Sequence, residues 1–78
     1  MTMRARRRPT RRQLEVLAAY ARTGSYKITA EELGITAGTV ATTLNMVRAR
    51  YDVDTTIQAY RVALSAGHIG KSVGGSSR

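Results

Sequence analysis

The chain has 78 residues, room for one domain with a small core. Thirteen Lys and Arg against five Asp and Glu give a formal charge of +8 and a sequence pI near 11.2, and there is no cysteine. Disulfide frameworks and thiolate metal sites are therefore excluded. No run approaches the roughly 18 apolar residues of a membrane span, and no apolar h-region follows the basic N-terminus as in a secretory signal.

Residues 1–9, MTMRARRRP, combine repelling charges with almost nothing apolar to bury, and are expected to be a disordered arm. Six arginines stand at positions 4, 6, 7, 8, 11 and 12; elsewhere seven basic residues face five acidic ones, a net +2. Eleven of the thirteen basic residues are arginine, whose planar fork of donors matches phosphate, so the cationic arm points to nucleic acid. A solvated charge run, an RNA-binding segment or a targeting sequence would be the other readings of the same arm.

Thr10 is placed to cap a first helix over about 11–22, with Gln13 reaching back as in a capping box. Leu14, Leu17, Ala18 and Ala21 recur at helical spacing, and Val16 and Tyr20 widen the stripe. Gly24 ends this helix. Ser25 caps a second, about 26–33, in which Ala30 and Leu33 point inward and Ile28 adds an anchor. Gly34 supplies the left-handed backbone that stops it, and Ile35 folds back onto the preceding turn. Thr36 caps the third helix, about 37–51, whose Val40, Leu44, Val47 and Tyr51 align at spacings of 4, 3 and 4.

Asp52-Val53-Asp54-Thr55 reads as a break, with Asp54 or Thr55 capping a fourth helix over about 56–66. Ile57, Tyr60, Ala63 and Leu64 lie on one side of it, and Ala59, Val62 and Ala66 make it apolar over more than half its circumference. That breadth has two readings: a homodimer contact through Ala59, Tyr60 and Ala63, or a helix wrapped by the first and third helices. Residues 70–78 are Gly- and Ser-rich and read as a flexible tail. The expected fold is all-α: a compact four-helix domain over residues 10–69 between an arm and a tail.

The second and third helices are joined by a short glycine-containing turn, the signature of a helix-turn-helix. The stretches TRRQLEVL at 10–17, AEELGITAGTV at 30–40 and YDVDTTIQAYRVALSAGHI at 51–69 resemble the DNA-binding domain of LuxR/GerE-type bacterial transcription regulators. Sigma-factor region 4 shares the same core pattern. The resemblance implies a third helix that enters the major groove and a fourth that often forms a two-fold contact. Where that family usually has a lysine, a histidine and a glycine, this chain has Ala41, Thr43 and Asp52, and Thr29 replaces an apolar residue whose packing role is expected to fall to Ile28.

With Val40, Leu44 and Val47 inward, the opposite face of the third helix carries Ala41, Thr42, Asn45 and Arg48, with Thr39 at its edge. Compact side chains let a helix approach base edges, Asn pairs well with adenine, and Ala and Thr methyls touch a thymine methyl. Asn45 and Thr42 are thus the expected base readers, Ala41 a close apolar contact, and Thr36, Thr39 and Arg48 phosphate anchors. Lys27, with Ser25 and Tyr26 at the start of the second helix, is expected to hold the DNA backbone. Arg4, Arg6, Arg7 and Arg8 are expected to contact phosphates or the minor groove.

Tyr20, Tyr51 and Tyr60 read as core residues with hydroxyls at the surface. His68 lacks metal-ligand company, and no triad, carboxylate pair or phosphate loop is present, so neither catalysis nor a metal or other cofactor is expected. The expected function is a small stand-alone, sequence-specific double-stranded DNA-binding protein that regulates transcription, cytoplasmic and nucleoid-associated. The alternatives are an interaction module that docks on RNA polymerase or a sigma factor, and an architectural or recombination accessory factor that binds DNA mainly through the arm.

Overall fold

A computed structural model describes residues 8–70. Four helices follow in chain order: α1 Arg11–Thr23, α2 Tyr26–Leu33, α3 Ala37–Tyr51 and α4 Thr56–Ser65. The described residues form a small all-α domain, with no strand among them. Arg4, Arg6 and Arg7, and the tail from residue 71 onward, lie outside the described residues.

The ends of the helices follow from local chemistry. The Thr10 hydroxyl accepts from the Gln13 N–H at 3.1 Å while the Gln13 side chain accepts from the Thr10 N–H at 2.9 Å, a complete capping box. Ser25 and Thr36 cap α2 and α3, and Thr55 with Gln58 forms a second box at α4. At the end of α2, Gly34 has φ 70°, and the Ile35 N–H donates to the Ala30 carbonyl at 3.0 Å. An added Cβ at Gly34 would meet nothing within 4 Å, so only the backbone conformation resists substitution. Gly34→Ala is expected to cost about 1–2 kcal/mol, read as a shifted denaturation midpoint with unchanged slope.

Between α3 and α4 the same left-handed conformation falls on Asp52, φ 58°, the only described non-glycine residue with positive φ. A short polar side chain tolerates this region better than a bulky one. The Asp52 and Val53 N–H groups donate to the Ala49 and Arg48 carbonyls and close α3.

The core is built on α1, which packs against all three other helices, and on the inner face of α3. Val40, Leu44, Val47 and Tyr51 are all sealed from solvent, as their spacing predicts. Because α1 is covered from several sides, its buried arc is displaced from the expected stripe. Val16 and Ala19 are buried with Leu14 and Leu17, whereas Ala18 is half-buried and Ala21 exposed.

Three further expectations are corrected. In α2 it is Thr29, not Ile28, that fills the interior: Thr29 is 0% exposed and Ile28 46%. The Thr29 hydroxyl pairs with that of Thr23 at 2.7 Å, and the partner removes the penalty for burying it. In α4, which ends at Ser65 rather than at 66, Ile57 lies 66% exposed while Ala59 and Ala63 face inward. α4 packs on α1 and α3 through these two small residues, with Tyr60 and Val62 covering the flanks.

The third correction concerns Tyr51, whose hydroxyl is not at the surface. It hydrogen-bonds His68 Nδ1 at 2.7 Å, the two rings lie nearly parallel, and the residue is fully enclosed. Burial pushes the phenol above its ordinary pKa, opposed by the positive charge of Arg8. The folded state therefore holds this proton longer than the unfolded chain does. Stability is full below about pH 10 and declines as pH rises from there through the folded value. Tyr51→Phe is expected to remove that alkaline component and to cost about 0.5–1.5 kcal/mol near neutrality, measured by denaturation across pH.

Candidate nucleic-acid interface

α2, the turn at 34–36 and α3 form a helix-turn-helix in which the two helices pack on one another. The inward set on α3 fixes its rotation, and helical geometry then dictates what faces out. Thr42 and Asn45 are exposed, Ala41 is half-buried at the margin, and Thr39 is exposed one turn earlier. Ala49, four residues beyond Asn45, is exposed on this same face; extending the periodicity one more turn identifies it. Met46, 48% exposed, borders the face. Arg48 is the one charged side chain that reaches this surface, through its contact with Asn45.

The first turn of α3 is Ala37-Gly38-Thr39, and neither α2 nor α3 has an acidic residue in its first turn. Their positive dipole ends are therefore not neutralised locally. The Thr36 hydroxyl accepts from the Thr39 N–H at 3.0 Å and donates to the Thr39 hydroxyl, also at 3.0 Å. Both side chains remain exposed there. Lys27 is exposed on the first turn of α2, beside Tyr26, which packs against Tyr20 at 5.0 Å between ring centroids.

Arg48 is half-buried, and its guanidinium has partners within the chain. One guanidinium nitrogen donates to the Thr56 hydroxyl of α4 at 2.9 Å, and the other donates to the Asn45 side-chain carbonyl. Sequence alone offers no sign of this link, because Thr56 is eight residues away across a turn.

Arg50 donates to the Arg8 carbonyl at 3.2 Å. This contact fixes where the N-terminal segment meets the domain: at the C-terminal end of α3, with Pro9 buried and Arg8 itself exposed. Elsewhere the positive charge is partly spent. Arg12 bonds Glu15 and the Leu33 carbonyl, and Arg22 pairs with Glu32. The hydrogen bond from Arg22 holds the Glu32 carboxyl below its ordinary pKa and raises that of Arg22.

The expected dimer residues do not form one surface. Ala59 and Ala63 are 0% exposed within the single chain, so the helix-wrapping reading holds for them and they are not available to a second copy. Tyr60 is half-buried and lines a groove between α1 and α4 with Tyr20, Ala21, Gly24 and Ile57.

No group of three or more potential metal ligands occurs among the described residues, and no described helix is long and apolar enough to cross a membrane. The chain matches no family model, no curated protein and no solved structure.

Proposed function

We propose that this chain is a sequence-specific double-stranded DNA-binding protein that regulates transcription, with α3 in the major groove and the arginine arm on phosphates or in the minor groove. The observation that carries the reading is the outward face of α3: Thr42 and Asn45 are exposed and uncharged, and a basic N-terminal segment is rooted at Arg8 on the C-terminal end of the same helix. A helix presenting compact hydrogen-bonding side chains approaches base edges, while the flanking cations hold the backbone. The resemblance to LuxR/GerE-type domains supports the same assignment. Such a protein would work in the cytoplasm, on the nucleoid.

Thr42 and Asn45 read bases, Ala41 and Ala49 make close apolar contacts, and Thr36, Thr39, Arg48 and Lys27 hold phosphates. Asn45→Ala is expected to cost about 1–3 kcal/mol on the preferred site and to relax the base requirement at one position, while affinity for random DNA stays the same. Titration of labelled duplexes bearing each base at that position measures it, and an unchanged preference would show that the helix is oriented otherwise.

The exposure of Ile57 beside Tyr60 favours a protein contact on the α1–α4 groove in addition, with a second copy as the simplest occupant. A two-fold pair would select half-sites about 34 Å apart.

A further inference from the structure

We infer that the arginine arm engages DNA on one flank only of the bases read by α3, beyond the C-terminal end of that helix, and that Arg50 is the positioning residue that ties it there. The inference rests on the proposed reading of α3 as the groove helix and adds the side on which the arm's contacts fall. Several independent contacts join the root of the arm to that end of α3. Arg50 donates to the Arg8 carbonyl at 3.2 Å, and in the first turn of α1 the Gln13 side-chain N–H donates to the Met46 sulfur at 3.5 Å. Gln13, Met46, Ala49 and Arg50 line one shallow groove between the two helices. Pro9 is buried and Thr10 is locked in its capping box, so the chain has no freedom to swing until it passes Arg8. The charge of Arg8 is felt by Tyr51, the last residue of α3.

Reach then decides the side. Helical rise places Arg50 about 20 Å along the axis from Ala37, at the opposite end of α3. An extended chain gains at most about 3.5 Å per residue, so the backbones of Arg7, Arg6 and Arg4 lie within about 3.5, 7 and 14 Å of Arg8. All three distances are shorter than α3. Reaching the other flank would take a fully extended arm, and only its far end would arrive. The arm's contacts therefore fall within about four base pairs of its root, and the site is asymmetric about each bound α3.

The chain has no cysteine, so a single introduced one carries an iron-chelate DNA cutter at a unique position. Ala5→Cys places the cutter in the arm and Ala37→Cys at the start of α3, both outside the proposed contacts. On a duplex selected by the full chain, the two cutters are expected to cleave on opposite sides of the base pair whose requirement Asn45→Ala relaxes; in a two-fold pair the order is mirrored in each half-site. Equal cleavage from position 5 on both sides, or cleavage on the side cut from position 37, would overturn the inference and leave the DNA-binding reading standing. No affinity for any duplex would overturn both.

The role of Arg50 is tested by Arg50→Met in the full chain and in the chain lacking residues 1–7. The expected loss is about 5-fold in affinity with the arm present and less than about 2-fold without it. In the full chain, cleavage from position 5 is expected to spread to both sides, whereas Arg50→Lys, which keeps a donor, is expected to preserve the one-sided pattern. Equal losses in the two backgrounds, with a salt slope smaller by about 0.9 in each, would make Arg50 a phosphate contact in its own right and overturn its positioning role.

Discussion

Leu44→Asp is expected to abolish the folded state, seen as loss of the helical circular dichroism signal at neutral pH. Leu44 is 1% exposed at the centre of the inner face of α3, with Val40 and Val47 on neighbouring turns. Burying a leucine side chain contributes about 1.5–3 kcal/mol, and the substitution loses that and places a carboxylate where it has no partner. A domain of this size has a total stability of about 3–9 kcal/mol, so the combined loss consumes most or all of it. Leu44→Met, which nearly conserves volume, is expected to cost less than about 1.5 kcal/mol and to stay folded. A helical, cooperatively melting Leu44→Asp variant would refute the inward stripe and with it the outward assignment of Thr42 and Asn45.

Removal of residues 1–7 is expected to weaken DNA binding about 100-fold at 0.15 M salt. Three arginines are lost, at positions 4, 6 and 7, while Arg8 keeps its contact with Arg50. If each neutralises one phosphate, the slope of log affinity against log salt falls in magnitude by about 2.7, and the deficit closes as salt approaches 1 M. With Arg8 included, the whole arm accounts for a slope of roughly −3.6. Sequence preference through α3 is expected to persist in the truncated chain, since phosphate contacts carry no base information. An unchanged salt slope would separate the arm from DNA, and complete loss of preference would favour an accessory factor that binds mainly through it.

The parts of this fold that are legible in the sequence are those set by neighbours along the chain. Thr10 with Gln13, Ser25, Thr36 and Thr55 act within one turn, and Gly34 acts through its own backbone, so residue type and spacing suffice to place them. The inner face of α3 is equally plain, because Val40, Leu44, Val47 and Tyr51 recur at spacings of 4, 3 and 4.

The rotation of α4 is not legible. Six apolar residues surround that helix, and only packing against α1 and α3 decides that Ala59 and Ala63 go inward and Ile57 outward. Hydropathy ranks Ile28 above Thr29; a hydroxyl partner six residues away reverses the order. The Tyr51–His68 bond spans 17 residues and the Arg48–Thr56 bond eight, so neither follows from local pattern. In the candidate site the exposure of Thr42 and Asn45 follows from periodicity alone, whereas the bond from Arg48 to Thr56 of α4 does not.

The central claim is that the Thr42 and Asn45 side of α3 discriminates base pairs. Repeated selection of random-sequence duplexes by the full chain, followed by affinities for the winner and for scrambled DNA at one salt concentration, tests it most directly. A single enriched motif bound about 10³-fold or more tighter than scrambled sequence is the predicted result. Equal affinity for every duplex, or no binding at all, would contradict it.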